Sequence, residues 1–297
     1  MTAELQEEVF LQRPEDILDK VTSVLQYYLL PADEEEIRQA FKDALFLFQG
    51  FLPGYQKAQT PYHDLSHTLA VFLTTGRLIH GACLSGCIIS SEAIRLGLIS
   101  ALFHDAGLIK KEGENGGSGA QFTLGHEERS VEFLSRYLES HNGSRKDIAI
   151  GMKLIRSTNL GISLKEISFP DKDAAVLAQI LASADLIAQM SDRAYAEKLR
   201  LLYREFTEGC MPGYASEWEL YEKTESFFTN VALRRLEEDL DGVYGYMTFH
   251  FLQDRGVKID YYMERMRKNI AFIKSIVLDG PQSYRNRLRR KCTYSYA

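Results

Sequence analysis

The most suggestive chemical feature is a His-Asp pair inside an apolar segment. The stretch Leu98–Leu108, LISALFHDAGL, has the composition of a helix buried over most of its surface, yet it carries His104 and Asp105 side by side. Burying an unpaired carboxylate is strongly unfavourable. We therefore expect Asp105 to face either a cation or a dense shell of hydrogen bonds.

A second buried carboxylate is predicted further along the chain. In Ala174–Met190, AAVLAQILASADLIAQM, Asp185 is the only charged residue. The same solvation argument requires a positive partner for it inside the fold. That partner is either a metal ion or an arginine, unless the carboxylate caps a buried helix.

Two histidines stand at the start of a third apolar segment. In Pro61–Val71, PYHDLSHTLAV, Asp64 is a natural N-cap, which puts His63 just outside the helix and His67 in its first turn. His67 is followed by apolar residues and is expected to be buried. His63 is either a surface residue or a neighbour of the same site.

Together these segments offer two imidazoles and two carboxylates from three helices. Such a mixed set of N and O ligands suits Zn, Fe, Mn or Mg. Adjacent ligands such as His104 and Asp105 can serve two ions if the carboxylate bridges them, and a bridged pair turns water into hydroxide near neutral pH. We expect two divalent metal ions.

The elements that position these residues are predicted to be helices throughout. Proline is scarce, with 7 residues, and no convincing strand pattern occurs. Start signals and apolar spacing predict helices at about 14–30, 33–50, 65–84, 90–105, 126–140, 145–157, 172–191, 192–208, 216–238 and 259–277. The fold class expected is all-α.

Composition narrows the partners and the compartment. A net charge of -6 disfavours nucleic acid, although small anions can bind where a metal compensates. The longest stretch without Lys, Arg, Asp or Glu, Leu78–Ser91, is too short to span a bilayer, so no membrane span is expected. The acidic N-terminus is unlike a secretion signal, and the four cysteines have no disulfide or zinc spacing, so we expect a cytoplasmic protein with reduced thiols.

The order H, HD, D resembles the HD-domain metal-dependent phosphohydrolases, and most closely the class I cyclic-nucleotide phosphodiesterases. Four motifs carry the resemblance, which spans about Tyr62–Met190. They are YHNxxH at Tyr62, His63, Asp64 and His67, with Asp replacing Asn; HD at His104 and Asp105; an ATD-like Ser157, Thr158, Asn159; and ADL at Ala184, Asp185, Leu186.

The resemblance implies an HD-domain-like multi-helix bundle with extra N- and C-terminal helices. It implies His67, His104, Asp105 and Asp185 as metal ligands, Asp105 as the bridge, and His63 as the acid that protonates the leaving oxygen. The segment Leu124–Leu138 also resembles a helix of that family, which would bring His126 near the metals. Asn159 is a further candidate for the pocket.

The implied function is hydrolysis of a small-molecule phosphoester by a metal-bridged hydroxide. A 3′,5′-cyclic nucleotide is one candidate substrate. However, the glutamine and phenylalanine that hold the purine in that family are matched only loosely here, by Phe249, Phe251 and Gln253. No second histidine pair follows His126, which disfavours the HD-GYP pattern and a cyclic dinucleotide substrate.

We expect three regions and keep two rival functions open. The regions are an N-terminal helical extension at 1–50, a metal-binding catalytic core at 51–191, and a C-terminal helical region at 192–297 that packs on the core. Aromatic residues of the last region are expected to shape the pocket: Tyr214, Trp218, Tyr221 and Phe228. The rivals are an inactive HD module that binds a nucleotide or a partner protein, and an HD-type di-iron oxygenase.

Overall fold

The computed structural model describes residues 13–282 and 284–290, and within them the chain forms helices and no β-strand. The all-α prediction is confirmed. Residues 1–12 of the N-terminal extension, and Cys292 in the C-terminal region, lie outside the described residues. The α-helices are α1 Pro14–Leu25, α2 Pro31–Gln49, α3 Leu65–Leu84, α4 Ser91–Phe103, α5 His126–Ser140, α6 Arg145–Arg156, α7 Lys172–Ser191, α8 Tyr195–Glu208, α9 Glu217–Phe227, α10 Met247–Arg255, α11 Tyr261–Asp279 and α12 Tyr284–Arg287.

Helix α3 lies at the centre of the bundle. Its sequence is apolar on all faces, which only a helix surrounded by other helices can satisfy. It packs against α1, α4, α7 and α10. Its first turn is set by Asp64, whose side chain accepts the backbone N–H of His67 at 3.0 Å, as the N-cap prediction requires.

Helix α7 is the second buried helix. It packs against α3 on one side and against α11 on another. Its length and composition would allow it to cross a bilayer, but 72% of its most apolar window is buried inside the protein. This is the environment of a core helix, and Asp185 lies in its middle.

The His-Asp pair lies just beyond a helix and not within it. The sequence predicts a helix that reaches Asp105, but α4 ends at Phe103 and His104 is its C-cap. Asp105 is the N-cap of a 3₁₀ turn, Ala106–Leu108. The turn runs against α5 so closely that a Cβ on Gly107 would lie 2.1 Å from the His126 carbonyl oxygen. A continued helix could not make this approach.

The C-terminal third differs most from the prediction. The expected helix at 216–238 ends at Phe227, and the chain continues in π-helical turns at Phe228–Ala232 and Arg235–Asp239. Helix α10 was not predicted. It is short and turns only Met247, His250 and Phe251 into the core, too few apolar positions to stand out in the sequence.

The stability of the protein should depend on the close contact between α3 and the C-terminal third. A Cβ on Gly81 would lie 2.0 Å from the Tyr246 carbonyl oxygen, so Gly81→Ala is expected to lower the free energy of unfolding by about 1–3 kcal/mol, despite the better helix propensity of alanine. Urea unfolding measures the change. Gly245→Ala is the control, because nothing lies within 4 Å of its added Cβ. Equal stability of the two variants would contradict this packing.

Candidate metal centre

Four of the predicted residues meet at one point between three chain segments. His67 comes from the first turn of α3, His104 and Asp105 from the end of α4, and Asp185 from the middle of α7. The Nε2 atom of His67 lies 3.1 Å from Asp185 Oδ1 and 3.4 Å from Asp105 Oδ2. His104 Nε2 lies 3.3 Å from Asp105 Oδ2. The three segments thus converge as the sequence predicted.

The two oxygens of Asp105 face different partners. Oδ2 faces His67 and His104, whereas Oδ1 lies 3.3 Å from Nε2 of His126, which begins α5. The Asp105 side chain is only 4% exposed, and its Oδ2 has no hydrogen-bond partner that meets normal geometry. Such a buried, unsatisfied carboxylate oxygen requires a positive neighbour.

Backbone carbonyls fix the orientation of two of the imidazoles. The Nδ1 atom of His104 donates to the Ala101 carbonyl at 2.8 Å, and that of His126 donates to the Thr123 carbonyl at 2.9 Å. Their Nε2 atoms are therefore turned to the carboxylates. This is the arrangement by which proteins prepare histidines for metal binding.

The cluster is strongly coupled electrostatically. Burial alone would raise the pKa of Asp105, but the neighbouring imidazoles of His104 and His126 hold it well below its usual value. Burial alone would lower the pKa of His104 and of His126, yet Asp105 raises both to about 9. The carboxylates thus demand positive charge, which either protons on imidazole or bound cations can supply.

The donor set fits divalent metal ions. His67, His104 and Asp185 each offer an atom within 4.8 Å of the others, and so do His63, His67 and Asp105. Imidazole nitrogens and carboxylate oxygens at this spacing suit Zn, Fe, Mn or Mg. Asp105 belongs to the second of these groups, and its Oδ2 also faces His104 of the first. A carboxylate that bridged two ions would have neighbours in both groups, as Asp105 does.

His63 has a buried partner that the sequence analysis missed. Its Nδ1 lies 2.5 Å from Oε2 of Glu205 in α8, whose Oε1 accepts the backbone N–H groups of Tyr62 at 2.7 Å and His63 at 3.1 Å. The Glu205 side chain is fully buried. Burial alone would lower the pKa of His63, but the Glu205 carboxylate raises it to about 9. His63 is therefore not an ordinary surface histidine.

A cavity of about 340 Å³ opens onto the cluster. All three remaining site candidates line it, namely His63, His126 and Asn159, beside Asp105 and Asp185. Arg235 holds the Asn159 segment in place, because its guanidinium donates to the carbonyls of Ser157 at 2.8 Å and Asn159 at 3.0 Å.

Several aromatic residues are not where the sequence analysis expected them. Of the four predicted to shape the pocket, Tyr214 lines the cavity, but Trp218, Tyr221 and Phe228 do not. The segment Phe249–Gln253 is also absent from its wall. It belongs to α10, which turns His250 and Phe251 into the core beside α3, where the Nδ1 atoms of His250 and His80 lie 2.9 Å apart.

Comparison with known proteins identifies the family of the chain. The model of the Npun_R2479-like family matches residues 51–245, well over half of the 297 residues, so the chain belongs to this family. No curated protein matched the chain. The match includes all residues of the candidate metal centre together with α8 and α9, which carry Glu205 and much of the cavity wall.

The charge on His63 should depend on Glu205. In the metal-free protein we expect His63 to titrate with a pKa of about 9, and Glu205→Gln to bring this pKa below 6.5, because burial remains while the carboxylate charge is lost. NMR titration of the imidazole signals measures both values. Because the folded pKa exceeds the ordinary 6.5, the pair's contribution to stability is complete below pH 6.5 and disappears as the pH rises through about 9.

Glu208→Gln is the matched control for this titration. Glu208 lies on the same helix, but its carboxylate accepts from Ser118. Its replacement should leave the His63 titration unchanged. A wild-type His63 that titrates near 6.5 would contradict the arrangement.

Proposed function

We propose that this protein is a metal-dependent phosphohydrolase that cleaves a phosphoester of a small molecule. The observation that carries the proposal is the convergence of His67, His104 and Asp185 on a buried Asp105 whose Oδ2 lacks a hydrogen-bond partner. The HD-type order of these residues supports the same activity. The adjacent cavity gives a substrate access to Asp105 and Asp185.

The residues would hold two divalent cations. His67, His104, Asp105 and Asp185 would hold one ion, and Asp105 with His126 would contribute to holding the second. Bound there, the ions would supply Lewis-acid activation of water and neutralise charge on the phosphoryl group. Zn, Fe, Mn and Mg all remain candidates for this donor set.

His63 would provide the proton for the leaving group. It borders the cavity, and its Nδ1 is occupied by Glu205, which leaves Nε2 to act on a substrate. In the metal-free protein the Glu205 carboxylate raises the pKa of His63 to about 9, which favours the protonated imidazole at neutral pH. Water that has lost one proton to the solvent attacks phosphorus as hydroxide, the bond from phosphorus to the ester oxygen breaks, and the His63 proton passes to that oxygen to give the free alcohol. His63 then regains a proton from the solvent. Glu205 is a positioning residue that keeps the acid charged.

The metal sites can be tested through Asp105. Asp105→Ala should remove at least one equivalent of bound metal, because the bridging carboxylate is lost, and should abolish hydrolysis of a panel of phosphomonoesters and phosphodiesters. Elemental analysis and phosphate release measure these effects. His141→Ala is the control, since His141 lies on the surface away from the cluster. Unchanged metal content and turnover in Asp105→Ala would exclude the scheme.

The acid role of His63 can be separated from a ligand role. With an alkoxide leaving group, His63→Ala should lower kcat by about 10²–10⁴-fold, the usual contribution of a general acid. With p-nitrophenolate, which leaves without a proton, the loss should be within about tenfold. Metal content should stay at the wild-type level. Equal losses for both leaving groups, or loss of metal, would contradict the acid role.

The rival functions make different predictions in the same experiments. An inactive module that binds a nucleotide or partner protein would contain its metals but hydrolyse no member of the panel. A di-iron oxygenase would require iron specifically and would consume oxygen. Nothing in the described residues favours a cyclic nucleotide over other phosphoesters, because Phe249, Phe251 and Gln253, which resemble the family's clamp only loosely, lie outside the cavity.

A further inference from the structure

The cavity has two chemically different ends. The metal-centre end holds its charged residues, whereas the other end lies between α8, α9 and the segment joining them. Apart from Tyr195 and Thr224, the side chains there are aliphatic or aromatic: Leu199, Leu202, Phe206, Met211, Tyr214, Leu220 and Phe227. Phe206 and Tyr214 stack on each other with ring centroids 5.7 Å apart. A ligand that fills this end is surrounded mainly by hydrocarbon.

The hydroxyl groups of the threonines in the wall are already used. Thr123, Thr158 and Thr224 each donate to a backbone carbonyl of their own segment, at 2.7, 2.8 and 2.6 Å respectively. The Asn159 Oδ1 accepts the Gly161 N–H at 2.7 Å. These residues therefore offer a ligand fewer hydrogen bonds than their composition suggests. Besides the charged residues, the main remaining polar groups are the amides of Gln189 and Asn159, the latter through its Nδ2, and the phenols of Tyr195 and Tyr214.

No lysine or arginine is among the described residues that line the cavity. Two cations lie close behind the wall but are engaged. Arg235 donates to the carbonyls of the Ser157–Ile162 segment, and Lys223 pairs with Glu219 at 2.7 Å and donates to the Gly213 carbonyl. A second phosphate at the apolar end would be desolvated without a partner, which is strongly unfavourable.

We propose that the substrate is a phosphate ester of an uncharged, largely apolar alcohol, with a single phosphoryl group. This proposal rests on the proposed function. The phosphoryl group would lie at the metal centre, and the organic group between α8 and α9, against Phe206 and Tyr214. The volume of about 340 Å³ is near the lower end of small-molecule sites, which fits a small ligand.

Binding of non-hydrolysable phosphonates to the metal-loaded protein tests the pocket separately from catalysis. Hexylphosphonate should bind at least about tenfold more tightly than methylphosphonate, because its methylene groups leave water. An isosteric chain with two ether oxygens should lose most of that gain. Hexane-1,6-diphosphonate should bind at least about tenfold more weakly than hexylphosphonate. Calorimetry measures the four dissociation constants.

Variants of the apolar end locate the effect. Phe206→Ala should weaken hexylphosphonate binding about tenfold and change methylphosphonate binding by less than about twofold. Tyr214→Ala, on the segment between α8 and α9, should act in the same direction, and provides a second variant if Phe206→Ala is unstable. Phe46→Ala is the matched control, because this aromatic ring is about half exposed on α2 and outside the cavity.

The outcomes distinguish the two proposals. Equal binding of hexyl and methyl phosphonates, or tighter binding of the diphosphonate, overturns the ligand class even if phosphoesters are hydrolysed. Selective binding of hexylphosphonate without turnover of hexyl phosphate or its methyl diester overturns the proposed function and supports the ligand class. Preferential hydrolysis of the hexyl esters over their ether isosteres supports both.

Discussion

The structure depends on the need to compensate a carboxylate that is buried in an apolar bundle, that of Asp105. Asp105 and Asp185 come from segments with almost no other charge, and both lie beside imidazoles, although the Asp185 side chain is 23% exposed where it borders the cavity. This geometry demands that α3, α4 and α7 meet closely. The Asp64 cap fixes the first turn of α3, and Gly107 lets the Asp105 turn pass against α5. Helix packing and site electrostatics thus depend on each other.

A second buried carboxylate links the site to the C-terminal third. Glu205 satisfies two backbone N–H groups and the His63 imidazole, so α8 fixes the conformation of the segment before α3. The same helix supplies Leu199, Leu202 and Phe206 to the cavity. Residues on both sides of the predicted boundary at residue 191 therefore line the cavity. The family match also continues across that position, to residue 245.

The predictable part of the site is the part where polar residues interrupt apolar sequence. Asp105 and Asp185 are conspicuous because their neighbours are apolar. Glu205 is not, since it lies in an amphipathic helix with charged residues such as Arg204 and Glu208, and only tertiary packing buries it. The same reason explains the wrong pocket prediction for Trp218, Tyr221 and Phe228. Aromatic residues indicate burial, but their spacing does not tell which helix face borders a cavity.

The charge balance of the centre limits what the cavity can accept. Two divalent cations would bring four positive charges against the three negative charges of Asp105, Asp185 and Glu127 in the cavity wall, an excess of one. A single phosphoryl group would be enough to offset that excess. With a net charge of -6 for the whole chain, there is little long-range attraction for further phosphates. Under the proposed function, affinity for the rest of the substrate would then come from apolar contact.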